Sequence, residues 1–145
     1  MTMDLLPPFD DRDGFIWMNG RIVPWREAKV HFLNHGLHYG SAVFEGVRVY
    51  NGRPFKLKAH TERLFNSAEI LDIKLPFSQE KINTAILETI AKQEVYYGYI
   101  RPIAWRGSEM MAIAAQKTSI HVAIAAWNSS TYYKPELLES GISMQ

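Results

Sequence analysis

Two arginines carry the strongest chemical signal in this chain. Arg101 stands between Ile100 and Pro102 in the apolar run Tyr99–Trp105, and strand alternation puts it on one face with Tyr97, Tyr99, Ile103 and Trp105. A guanidinium buried without a partner is costly, so Arg101 needs an anion. Two sources are open: an internal acid such as Glu45 or Glu62, or a substrate carboxylate held by the arginine fork with the Tyr99 hydroxyl as a further donor. Arg63 precedes Leu64, where a helical apolar stripe begins. It reads either as a solvated helix arginine or as a ligand for a cofactor phosphate. A third feature is the run Gly36–Tyr50, G-L-H-Y-G-S-A-V-F-E-G-V-R-V-Y. Read as extended from Val43, it sets Phe44, Gly46, Arg48 and Tyr50 on one face and Val43, Glu45, Val47 and Val49 on the other. The first face is either the wall of a small-molecule pocket or the outer side of a half-exposed hairpin.

Other chemistries find less support. His31, His35 and His38 have helical spacing, but Phe32, Leu33 and Leu37 interrupt the polar face and no carboxylate stands near, so no metal site is read there. There is no cysteine, which removes disulfides and thiol catalysis. No Gly-rich phosphate loop, G-x-S-x-G elbow or H-E-x-x-H motif occurs. The net charge is +1, with acids and bases mixed throughout, so nothing favours nucleic acid or an anionic membrane. No apolar run approaches the length of a membrane span. The acidic start with its Pro7–Pro8 pair does not read as a signal peptide, and a cytoplasmic setting is expected.

The elements that must position these residues follow from period and turn chemistry. Residues 1–14 read as an extended tail. Phe15–Met18 and Arg21–Trp25 flank Asn19-Gly20, a type I′ turn signal, and make a first hairpin. Asn51-Gly52 marks a second turn, with Pro54–Leu57 returning beside Val47–Tyr50. Ala59–Leu71 reads as a helix, and Ser78 caps another whose stripe is Ile82, Ala85, Ile86, Thr89 and Ile90. Tyr99–Trp105 and Ser119–Trp127 are β-prone, and Pro102 argues for an edge or a bulge. The order predicts an α+β fold over 15–127: a mainly antiparallel sheet with helices packed on one side. A chain of 145 residues with 47% hydrophobic content has ample material for one such core. Residues 128–145 read as a linker and the truncated start of a second domain, because a strand pattern opens at Gly141 without closing. Pattern alone ends here, at a pocket-bearing α+β domain with two candidate anion-binding arginines.

A resemblance goes further. W-M-N-G at Trp17–Gly20, the span from His31 through L-H-Y-G to F-E-G-V-R, R-L at Arg63–Leu64 and Y-I-R-P at Tyr99–Pro102 occur in order over residues 15–145. Together they resemble the small N-terminal domain of the branched-chain amino-acid aminotransferases, in the class IV group that depends on pyridoxal phosphate. The resemblance implies amino-group transfer between leucine, isoleucine or valine and 2-oxoglutarate, a place in branched-chain amino-acid biosynthesis, and a homodimer. It implies that Arg63 grips the cofactor phosphate and that Tyr99 and Arg101 receive a substrate carboxylate, above all that of glutamate. It implies that Phe44, Gly46 and Tyr132 wall the side-chain pocket, while Tyr39 and Met111, Ala112 and Ile113 reach a partner's pocket. Arg48 is read as structural, paired with an acid. The family's Schiff-base lysine is expected beyond Gln145, so this chain by itself is expected to be inactive and not to hold the cofactor stably. Asn128-Ser129-Ser130 stands where the best-known members carry a tryptophan. Alternatives are another class IV reaction, D-amino-acid transfer or a lyase, and a non-enzymatic binding domain.

Overall fold

The computed structural model describes residues 7–129 and 140–141. The elements run β1 (Phe15–Met18), β2 (Arg21–Pro24), a 3-10 turn (Trp25–Glu27), α1 (His35–Tyr39), β3 (Ala42–Phe44), β4 (Val47–Tyr50), β5 (Arg53–Pro54), α2 (Leu57–Ile70), α3 (Gln79–Lys92), β6 (Gly98–Arg106) and β7 (Ile120–Asn128). They form one seven-stranded sheet in the order β2-β1-β7-β6-β4-β5, with β3 also paired to β6. Every pairing is antiparallel, so the expected α+β class is the one found.

Local chemistry explains the turns and caps. Asn19 and Gly20 both hold positive φ, as do Asn51 and Gly52, and this is the backbone a type I′ hairpin turn requires. Asn19 does a second job: its side-chain Oδ1 accepts from the Val122 amide at 2.9 Å, tying the first hairpin to β7. The Ser78 hydroxyl accepts from the Lys81 amide at 3.2 Å and caps α3 as its sequence implied. Ile82, Ala85, Ile86, Thr89 and Ile90 are all buried, one turn and a little more apart. In α2 the buried residues are Thr61, Leu64 and Ala68.

The helices cover one face of the sheet. Val43, Val47, Val49, Ile100, Ala104, Val122, Ile124 and Ala126 pack with α2 and α3 in the core. The alternation read for Val43–Tyr50 holds: Val43, Glu45, Val47 and Val49 are buried, and Phe44, Gly46, Arg48 and Tyr50 are not. Two expectations need correction. The run is two strands, not one, and β6 is a central strand, neither an edge nor beside a bulge. Both differences have the same cause. The register is continuous from Ala42↔Trp105 to Val49↔Gly98, so Glu45 faces Pro102. The Glu45 amide donates to the Pro102 carbonyl at 3.0 Å, but Pro102 has no hydrogen to return. In an antiparallel ladder, a residue's amide and carbonyl point to the same side. The proline therefore forfeits one bond towards Glu45 and none towards β7, where it pairs with Ile124. Smaller differences lie at element ends. Trp25 begins the 3-10 turn instead of ending β2, β5 is only Arg53–Pro54, and α2 begins at Leu57.

Candidate functional site

The face of the sheet away from α2 and α3 carries the first group of residues. Ala125 pairs with Arg101 on one side, and the continuous register puts Gly46 opposite it on the other. A long cation thus lies between an alanine and a glycine: Ala125 leaves open space beside it, and the space over Gly46 is taken by Tyr99. Met18, Ile16, Val30, Leu37, Ile103, Ala123 and Ala125 help line a cleft of about 420 Å³ that includes Arg101 and Trp105. The guanidinium carbon of Arg101 lies 4.2 Å from the centre of the Phe44 ring and 5.4 Å from that of Tyr99. Tyr99 in turn leans on Trp127 at 5.1 Å between ring centres.

The hydrogen bonding here is incomplete. Arg101 Nη2 donates to the Tyr99 hydroxyl oxygen at 3.3 Å. The phenol oxygen accepts, so its own hydrogen remains to be donated. Arg101 Nε is buried and has no partner among the described residues, and the same holds for Trp105 Nε1. Buried donors are seldom left unmade in a folded protein, so each of these two calls for an acceptor beyond the described residues, a water or an ion included. The internal acids do not supply it. Glu45 is on the opposite face and is already taken, and no ion pair of Glu62 occurs among the described residues. Neither acid named for Arg101 from the sequence pairs with it among the described residues.

Gly46 makes this arrangement possible. A Cβ built there would run into the Tyr99 hydroxyl and ring. Any side chain at 46 would push the phenol away from Arg101. Phe44, Gly46, Tyr99 and Arg101 are therefore brought together on one face, in agreement with the alternation read from sequence. Arg48 shares that face, but no acid pairs with it among the described residues. Its guanidinium lies 5.7 Å from the Tyr50 ring centre, and the expected ion pair is corrected to that contact.

Arg63 stands elsewhere. It projects from α2 and donates from Nε to Glu45 Oε1 at 2.5 Å and from Nη2 to Glu45 Oε2 at 2.8 Å. His60, one turn earlier, meets Glu45 Oε2 through Nδ1 at 2.8 Å. Burial pushes the Glu45 carboxyl up, but the hydrogen bonds from Arg63 and His60 and their charges outweigh it, so its pKa falls below the ordinary glutamate value. The hydrogen bond to Glu45 likewise raises the pKa of Arg63. This three-residue cluster was missed in the sequence. The available signal was His60 and Arg63 one helical turn apart, downstream of an acid alternating with core valines.

Tyr39 and the 111–113 stretch form a third group. The Tyr39 ring lies against His35 at 4.5 Å between centres. His35 is buried, meets the Ser41 hydroxyl through Nδ1 at 2.6 Å, and meets the Ala112 carbonyl through Nε2 at 2.9 Å. A carbonyl only accepts, so Nε2 carries the hydrogen. His35 thereby latches the loop holding Met111, Ala112 and Ile113 to α1. The other two histidines of the cluster also meet backbone: His38 Nε2 lies 3.0 Å from the Phe32 carbonyl, and His31 Nδ1 accepts from Leu33 at 3.1 Å. Tyr39 and Ile113 line a second cleft with His35, Ser41 and Arg106, while Gly36 and Leu37 of the same short helix line the Arg101 cleft. Helix α1 thus stands between the two groups. Tyr132 lies outside the described residues.

The residues present fit pyridoxal phosphate at one end. Arg63 is 65% exposed along its side chain, and with Nε and Nη2 turned to Glu45 it keeps Nη1 for a phosphate. None of the residues lining the Arg101 cleft is a lysine.

Residues 42–144 match the family described as Amino-transferase class IV. The chain is 44% identical over 139 residues to the branched-chain-amino-acid aminotransferase of Pseudomonas aeruginosa, covering 93% of this chain and 45% of that protein. It is 36% identical over 135 residues to the enzyme of the same name from Escherichia coli strain K12, covering 88% and 43%. Among solved structures, the branched-chain aminotransferase of the thermophilic archaeon Thermoproteus uzoniensis with norvaline superposes with a TM-score of 0.79 at 34% identity, covering 85% of this chain and 43% of that one. The chain spans less than half the length of these relatives. With a family match that takes in most of the sequence, Arg63, Tyr99 and Arg101 included, the chain belongs to the class IV aminotransferase family.

Proposed function

We propose that the full protein containing this chain transfers an amino group between a branched-chain amino acid and 2-oxoglutarate. The observation that carries the reading is the buried Nε of Arg101, without a partner among the described residues, next to the Tyr99 hydroxyl and at a largely apolar cleft. Two donors in apolar surroundings suit a ligand that is part carboxylate and part hydrocarbon, which describes both substrates of the pair. Arg101 holds the carboxylate, and Tyr99 donates the hydrogen its oxygen does not use. The Phe44 ring lies against the guanidinium and helps hold it in place. Gly46 leaves room for the phenol. Pyridoxal phosphate, when bound, supplies the electron sink that lets the amino group change carriers. Arg63 is the residue of this chain that would hold its phosphate.

The reading includes a homo-oligomer. Its support is that Tyr39 and Met111, Ala112 and Ile113 are latched together on the far side of α1 from Arg101, with Ile113 90% exposed. From there they would contribute to the pocket of a second copy. A cytoplasmic setting accompanies this reading.

The test is turnover by the full chain with leucine, isoleucine or valine and 2-oxoglutarate, with the product's chirality determined. Formation of L-glutamate with loss of the branched-chain amino acid is expected. Turnover only with D-amino acids, or only as a lyase, would overturn the proposal.

A further inference from the structure

We propose that Glu45 is a positioning residue: its buried carboxylate fixes the plane of the Arg63 guanidinium so that the remaining edge is aimed at an anionic phosphate-class ligand. The inference rests on the reading of Arg63 given above. Glu45 is only 4% exposed and shares its face with Val43, Val47 and Val49. A strand needing only to fill the core would carry an apolar residue there, since a buried ion pair is often no more stable than a hydrophobic replacement. The acid instead meets Arg63 with both oxygens, Nε to Oε1 and Nη2 to Oε2, the fork geometry that sets orientation as well as distance. A single bond would leave the guanidinium free to rotate, but two parallel bonds do not.

His60 completes the clamp. Its Nδ1 lies 2.8 Å from Oε2 and 3.4 Å from Arg63 Nη2. A guanidinium nitrogen donates only, and a carboxylate accepts only. Nδ1 therefore carries a hydrogen towards Glu45, and the approach to Nη2 is that of two donors sharing one oxygen. Once both are engaged, Arg63 cannot swing to a different acceptor without breaking two bonds. The location adds a reason for the arrangement. Glu45 lies between Phe44 and Gly46 at the junction of β3 and β4, so one short extended stretch meets Arg101 and Tyr99 on one face and carries the Arg63 clamp on the other. The two anion-binding arginines are thereby tied to the same three residues.

The experiment uses the full chain and compares dissociation constants for pyridoxal phosphate and for pyridoxal, which lacks the phosphate, by absorbance titration. Glu45→Gln is expected to weaken pyridoxal phosphate about tenfold, the order of cost for immobilising one long side chain anew, and to leave pyridoxal within about twofold. Equal weakening of both, or of neither, would overturn the proposal, the first because it marks general damage to the fold. If Glu45→Gln does not fold, Glu45→Asp keeps the charge on a shorter arm and is expected to shift the ratio about threefold in the same direction. No shift in that variant would equally overturn it. Arg63→Ala separates the two layers. An unchanged ratio there would sink the phosphate reading of Arg63 and the positioning role with it. A changed ratio in Arg63→Ala with none in the Glu45 variants would sink the positioning role alone.

Discussion

Arg101 shows how far single residues decide this site. The guanidinium is placed by strand alternation, held between two rings, and left with a buried Nε that nothing described satisfies. Gly46 is the silent partner of that arrangement. Gly46→Ala is expected to displace the Tyr99 ring and lower kcat/KM of the full protein about tenfold or more, with a stability cost of about 1–3 kcal/mol from overpacking. Steady-state kinetics and thermal unfolding check this. Combining it with Tyr99→Phe should be clearly less than additive, because removing the hydroxyl removes the atom nearest the new methyl. Glu45 makes a pH prediction. Its folded pKa is lowered, so the unfolded chain binds more protons as the solution turns acid. Its stabilising contribution is complete above the unfolded glutamate value and is lost as pH falls through the folded one. The stability difference between wild type and Glu45→Gln, read from urea midpoints, should therefore shrink in acid, and a pH-independent difference would contradict the assignment. At this scale the sequence was legible where partners are close along the chain. Tyr99 and Arg101 are two apart, which strand period resolves. Glu45 and Arg63 are 18 apart on different elements, and only the packing of α2 over the sheet reveals that they meet.

Elements set these side chains in place through period and punctuation. Both Asn-Gly turns and the Ser78 cap are local chemistry and could be read directly. Ser78→Ala should cost about 1 kcal/mol, seen as a lower denaturant midpoint with an unchanged slope, because the Lys81 amide loses its acceptor. The place of β6 could not be read. Proline in a strand argues for an edge because it cannot donate to a ladder. Here Pro102 points its missing donor at the gap between β3 and β4, so a central strand tolerates it at the cost of one bond. That outcome depends on register across strands far apart in sequence, which no local pattern carries. The same limit hid α1, whose five residues are too few for a helical period to declare itself.

At the scale of the whole molecule, one face of the sheet is sealed by α2 and α3 while the other keeps apolar residues at the surface. Phe44 is 56% exposed and Leu37 66%, both beside the Arg101 cleft. Contiguous exposed apolar surface favours association. Residues 1–145 prepared alone are expected to self-associate as concentration rises, and a strict monomer by light scattering would contradict that. Under the proposed function the two arginines would divide the work, Arg101 holding a substrate carboxylate and Arg63 serving the cofactor. The most direct measurement is Arg101→Ala in the full chain, comparing kcat/KM for glutamate with the dissociation constant for pyridoxal phosphate. Loss of a charged pair in an apolar cleft should lower glutamate use by about two orders of magnitude and leave cofactor binding within about threefold. Comparable losses in both would contradict the division of labour between the two arginines.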